Sequence, residues 1–197
     1  MAAISAPAST GTRFLLQPLT RTRIADALLV AGGAGLTALC AQVAIPVPGS
    51  PVPITGQTFA VVLVSAALGL RRGVASMALY LVLGLVGMPV YSDASHGVQV
   101  LFGATGGYLV GFVLAAAAMG WAAEHGWDRT PLKALPVFLI GQLVIFGIGV
   151  PWLAVVAHLG PSAAVSAGFT PFLVGGLLKG VLASALLPMA WRISRHH

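Results

Sequence analysis

A lysine inside an apolar segment is the first residue of this chain that could do chemistry. Lys179 falls near the end of the run PFLVGGLLKG at 171–180, and no acid lies within a helical turn of it. On a helix, Gly176, Gly175 and Phe172 share its face by i,i+3/i+4 spacing, and the glycines leave space beside the ammonium. A lysine at the centre of a membrane helix costs about 2.5–3.5 kcal/mol on insertion scales and is usually functional. In one reading a ligand carboxylate supplies the missing counter-charge. In the other, Lys179 snorkels or bonds backbone carbonyls. Asp26 and Glu124 should fall near the far side of the molecule, so Asp93, in the 88–104 connection, is the acid that could fold down to it.

Two other stretches carry polar or glycine-rich character into apolar surroundings: PITGQTF at 53–59 and GATGGYLVGF at 103–112. Thr55, Gln57 and Thr58 could cap a helix or face a ligand. Thr105, Gly106 and Tyr108 have the stronger claim to a site. Gly103, Gly107 and Gly111 form a small-xxx-small stripe, for which close helix packing is the competing reading. Tyr80 and Gln142 are mid-helix polar groups that could bond a neighbouring helix or touch a ligand. Three helix starts of this kind, aimed into one cavity with their free N–H groups, suit an anionic small molecule. Catalytic signatures are missing: there is no P-loop, HExxH or GxSxG. His96, His125 and His158 are scattered, and the single Cys40 excludes a cysteine cluster. The chemistry expected is therefore binding, with no metal, no cofactor and no enzymatic step.

The elements that must position these residues are membrane helices. The chain of 197 residues is 58% hydrophobic and 7% charged, with a mean hydropathy of +0.97. A soluble domain carries about 25% charged residues. Runs of spanning length place helices near 24–45, 54–70, 73–87, 105–123, 132–157 and 171–192. The second and third are short for a span of about 20 residues. Arg13, Arg21 and Arg23 precede the first helix, and Arg71 and Arg72 separate the second and third. Arg129 and Lys133 separate the fourth and fifth, and Arg192 and Arg195 follow the sixth. The connections 46–53, 88–104 and 158–170 hold no Lys or Arg, so nine of the ten basic residues fall on one side. The positive-inside rule makes that side cytoplasmic, with both termini inside. The net charge of +6 then reflects topology and not a nucleic-acid partner. The expected organisation is a disordered cytoplasmic tail at 1–23, a six-helix transmembrane substrate-binding domain at 24–192 and a cytoplasmic tail at 193–197. His196 and His197, native or a tag remnant, take no part. Small residues on the first helix (Ala31, Ala34, Gly35, Ala38) should allow close packing, within the chain or against a partner.

The stretch 52–91, with QTFAV, GLRRG and GMPV, followed by TGGYLVGF and by PFLVGGLLK, closely resembles the BioY family, in order and without large gaps from about residue 24 to 190. That family comprises biotin-binding S components of energy-coupling-factor (ECF) vitamin transporters. The resemblance implies an all-α, six-helix S-component fold in the bacterial plasma membrane. It also implies capture of biotin from outside and two partners, a transmembrane coupling subunit and cytoplasmic ATPases. The first-helix small residues resemble the face that meets the coupling subunit. Transport without those partners, and a homo-oligomer, are left open. Lys179 occupies the lysine of the family's helix-six G-D-x-x-K pattern, but Gly176 stands where the aspartate belongs. Ala104 replaces a usual Pro, and VYSDASHG at 90–97 replaces a glycine-rich loop. Biotin's ureido N–H groups need acceptors, and one expectation is that Asp93 replaces the lost carboxylate. The implied contacts are polar at Lys179, Gln57, Thr55 and Tyr108, and apolar at Phe59, Phe172, Tyr91 and Val90. Loop 88–104 is expected to act as a lid. A biotin precursor or another small carboxylate is the alternative ligand, and a ligand-free structural protein is the competing class.

Overall fold

The computed structural model describes residues 14–16 and 22–194, and within them the chain is helical apart from one tiny hairpin. Helix α1 (Arg23–Ala41) starts where the Thr22 hydroxyl accepts a hydrogen bond from the Ala25 N–H, 3.1 Å away. It ends at Ala41, four residues before the expected boundary, because Ala44–Ile45 (β1) pairs with Ile54–Thr55 (β2) as an antiparallel hairpin. The Gly56 N–H closes this hairpin on the Cys40 and Val43 carbonyls. The connection expected at 46–53 is thus its turn.

Helix α2 (Gln57–Leu85) carries one non-helical residue, Gly69, at φ 75°, ψ −177°. That region of backbone space is essentially reserved for glycine. The chain doubles back there. Gln57 donates to the Tyr80 hydroxyl at 2.7 Å across 23 residues, which a straight helix would hold about 34 Å apart. A Cβ on Gly73 would lie 3.0 Å from the Ser65 Cα. The second and third expected helices are therefore the two arms, 57–68 and 70–85, of one helical hairpin. The break falls at Gly69 rather than at the arginines, which sit in the first turn of the second arm.

A long connection follows, and it is not irregular throughout: a 3₁₀ turn (Ser92–Ala94) and a one-turn helix α3 (Val98–Leu101) interrupt it. Then come α4 (Gly106–Glu124) and α5 (Pro131–Val156). The connection expected at 158–170 contains a short helix, α6 (Pro161–Gly168), and α7 (Phe172–Ser194) ends the described chain. Five of these helices (α1, α2, α4, α5, α7) are long and apolar enough to cross a membrane.

Helix α4 is the centre of the bundle, packed between α2 and α5. Its small residues set how close the neighbours come. A Cβ on Gly111 would lie 3.0 Å from the Ile145 Cα, and one on Gly120 would lie 2.7 Å from the Leu70 backbone. Charged groups gather at one end. Asp26 bonds Arg72 at 2.9 Å, and Glu124 accepts from the Leu70 N–H at 2.9 Å beside the Gly69 turn. The Trp191 indole donates to Asp128 at 2.6 Å, and Arg129 stacks over the Trp191 ring at 4.8 Å. Burial pushes the Asp128 carboxyl up, against the lowering effect of the Trp191 bond and of Arg129. Phe14 and Leu15 are buried at this same end, and the Leu16 N–H bonds the Ala67 carbonyl at 3.0 Å. Residues 14–16 of the segment expected as a tail therefore join the fold; the rest of 1–21, with Arg13 and Arg21, and 195–197 lie outside the described residues.

Candidate functional site

The opposite end holds a cavity of about 610 Å³, counted out to its open mouth. Each wall follows from local sequence. The β-hairpin and the first turn of α2 bring Thr55, Gln57 and Thr58 to one side. Helix α4 presents Thr105, Tyr108, Leu109 and Phe112, which are one face by i,i+3/i+4 spacing. Helix α5 presents Gln142, Ile145 and Phe146 by the same rule. Helix α7 contributes Phe172, Gly176 and Lys179, one per turn, while Leu173, Val174, Leu177 and Leu178 face outward and are exposed. The lysine is therefore on the inward stripe of a helix whose outward stripe is apolar.

Lys179 is the only charged side chain among the described residues lining the cavity. Its ammonium donates to the Thr55 carbonyl and to the Thr58 hydroxyl, the latter at 3.1 Å. It has no carboxylate. Each of the four acids of the chain is accounted for elsewhere: Asp26, Glu124 and Asp128 at the charged end, and Asp93 exposed on the 3₁₀ turn. Lys179 is thus bonded to one carbonyl and one hydroxyl, and its positive charge stands in a mostly apolar pocket.

The other polar groups are largely engaged with each other. The Thr55 hydroxyl donates to Gln57 Oε1 at 2.7 Å, and Gln57 Nε2 donates to the Tyr80 hydroxyl. Tyr108 donates to the Gly168 carbonyl at 2.9 Å, so it also ties α6 to α4. The rings of Tyr108, Phe146 and Phe172 meet at centroid distances of 5.8–6.5 Å, an apolar wall with an edge-to-face pair.

The long connection contributes Tyr91 and Ser92 to the cavity lining. Tyr91 is buried, donates to the Leu81 carbonyl at 2.7 Å and meets the Tyr80 ring edge-on at 5.5 Å. Burial pushes its phenol up, so the ring stays a neutral donor. Gln42, just past α1, clamps the connection twice. It donates to the Tyr91 carbonyl and accepts from the Ala94 N–H, both at 3.1 Å.

Of the residues expected from sequence, Lys179, Gly176, Gln57, Thr55, Tyr91, Thr105, Tyr108 and Phe172 come together in the wall. Four do not. Tyr80 stands behind Gln57 and orients it. Phe59 packs on the core, as does Val90. A Cβ on Gly107 would overlap Trp152, so that glycine serves the α4–α5 contact. Asp93 is exposed and outside the wall, because the turn at φ 55° carries its neighbour Ser92 to the cavity instead. On α5, Gln142, one of two mid-helix polar groups expected to bond a neighbouring helix or touch a ligand, does line the cavity, and Ile145 and Phe146, which the sequence reading did not name, join it in i,i+3/i+4 register. The partner-facing set also divides. Ala34 is fully buried and Ala38 packs on the core, whereas Ala31 is exposed and Gly35 has open space where a Cβ would be.

The model of the BioY family matches residues 12–196. A protein of Lactococcus lactis subsp. cremoris named "Biotin transporter BioY2" is 35% identical over 169 residues, covering 84% of this chain and 90% of its own. The "Biotin transporter BioY" of Thermotoga maritima is 39% identical over 142 residues, covering 72% and 82%. A crystal structure of the S-component for biotin from an ECF-type ABC transporter superposes with a TM-score of 0.76 at 19% identity, covering 86% of this chain and 92% of that one, which establishes a shared fold.

Proposed function

The chain belongs to the BioY family, and on that premise we propose that it is the membrane-embedded biotin-binding subunit of a biotin uptake system. The observation that carries this reading is one cavity at the uncharged end, with a single lysine, a hydroxyl–amide network and an aromatic wall. Biotin offers polar atoms at both ends and an apolar middle. Lys179 exchanges the Thr55 carbonyl for a ligand oxygen. The rings of Phe172, Phe146 and Tyr108 cover the thiophane and valeryl carbons. The work is capture and not bond chemistry.

The topology proposed is six spans with both termini cytoplasmic, counting the two arms of α2 separately. Its support is the segregation of Arg23, Arg72, Arg129 and Arg192 to one end and the cavity to the other. Exposed leucines and valines on α1, α5 and α7 fit lipid. The proposed partners are a transmembrane coupling subunit and cytoplasmic ATPases. The docking face is the open strip of α1 at Ala31, Gly32 and Gly35, where nothing lies within 4 Å of a glycine Cβ.

The test is biotin binding to detergent-purified protein by calorimetry, beside Lys179→Ala. Tight binding that the variant weakens tenfold or more places biotin against α7. A folded wild type that ignores biotin overturns the assignment and directs the search to biotin precursors and other small carboxylates.

A further inference from the structure

Among the described buried polar atoms without a hydrogen-bond partner, one belongs to a side chain that lines the cavity: Oε1 of Gln142. Ser76 Oγ and Asp128 Oδ1 share this state but belong to residues outside that wall. A buried carbonyl oxygen without a donor is costly to keep, so such atoms call for an explanation. The remaining wall groups do not share this state. Thr55, Gln57, Tyr91 and Tyr108 are bonded within the protein, and Thr58 accepts from Lys179.

The second observation is what faces Gln142. A Cβ built on Gly176 would stand 3.3 Å from Gln142 Nε2, so the carboxamide occupies the space that any side chain at 176 would enter. Gly176 lies one turn from Lys179, with Cβ positions about 5–6 Å apart. Lys179 carries N–H donors only, while the Gln142 carboxamide carries, beside its own N–H donors, an acceptor oxygen that no group of the described protein meets. A ligand group with N–H donors beside a carbonyl oxygen matches that pair. A free carboxylate supplies acceptors alone and leaves Oε1 unpaired.

We infer that Gln142 is the specificity-determining acceptor of this site, receiving a ureido N–H of the ligand from the α5 wall, opposite the position that Gly176 leaves without a side chain. This rests on the biotin reading and adds to it which residue recognises the ureido head. Asp93 is then not required for recognition.

The experiment measures the affinity of purified full-length protein for biotin and for biotin methylated on both ureido nitrogens. The variants are Gln142→Leu, the isosteric Gln142→Met as a second apolar replacement, and Gln142→Leu combined with Gly176→Asp. Wild type is expected to bind biotin at least tenfold more tightly than the methylated analogue. Either apolar variant should lose tenfold or more for biotin and lose most of that discrimination. Gly176→Asp, supplying a carboxylate from the opposite wall, should restore biotin affinity in the double variant. Apolar variants within twofold of wild type overturn the assignment while leaving the biotin reading intact. So does a loss that is equal for biotin and the analogue, because that is a packing effect. A folded wild type that binds neither ligand ends the biotin reading, and this assignment with it.

Discussion

A Cβ on Gly84 would overlap the ring of Tyr91, which fills the groove over the second arm of α2. Tyr91 is both a wall of the cavity and the anchor of the long connection, so this one glycine positions the mouth of the site. Gly84→Ala is expected to cost roughly 1–3 kcal/mol, the usual range for overpacking, and to weaken biotin binding as the ring shifts. A thermal unfolding curve and a binding isotherm check the two effects together; unchanged values in both would show that the ring moves freely. At Asp128 the expected effect is on pH. Its carboxyl is pushed above the ordinary value chiefly by burial, so the folded state binds a proton more tightly than the unfolded chain does. Stability contributed by this group is therefore present at low pH and is lost as pH rises through the raised value. Asp128→Asn should remove that slope, read as the difference in melting temperature between the two proteins across pH 4–8. Parallel curves would show that the carboxyl does not titrate in that window.

Gly69 makes α2 a hairpin. At φ 75°, ψ −177° an added Cβ is strained, and it would also meet Phe14 and the Glu124 carboxylate at 2.6–2.9 Å. Gly69→Ala should lower stability by about 1–3 kcal/mol, seen as a lower melting temperature with biotin affinity little changed in the protein that remains folded. The other element with a separable role is the long connection. Its clamp is Gln42, which bonds both the Tyr91 carbonyl and the Ala94 N–H. Gln42→Ala should loosen the mouth and speed release of labelled biotin several-fold in a chase experiment. An unchanged release rate would show that ligand leaves by another route.

At the scale of the whole molecule, a Cβ on Gly32 or Gly35 would meet nothing within 4 Å among the described residues, Ala31 beside them is exposed, and none of the three lines the cavity. Gly35→Leu should leave biotin binding unchanged while reducing uptake by cells and co-purification of a coupling subunit; normal uptake would remove this face from the docking surface. The class, the helical runs, the basic asymmetry and the inward lysine were legible in the residues themselves. They depend on composition and on 3.6-residue periodicity, which each segment carries alone. Seven of the eight wall residues were legible in the same way, Gly176 and Phe172 by sharing a helical face with Lys179, and Thr55, Gln57, Thr105 and Tyr108 as polar groups at apolar helix starts, whereas Tyr91 was expected only from the family resemblance. The tertiary structure decided the rest. It turned Gly107 and Ala34 to helix packing, carried Asp93 out of the cavity and brought Gln142 into it. Those outcomes depend on which faces meet, and a face is chosen by the shape of its neighbours: glycines that let α4 approach α5, and a hairpin at Gly69 that sets Gln57 against Tyr80. No single segment contains that information.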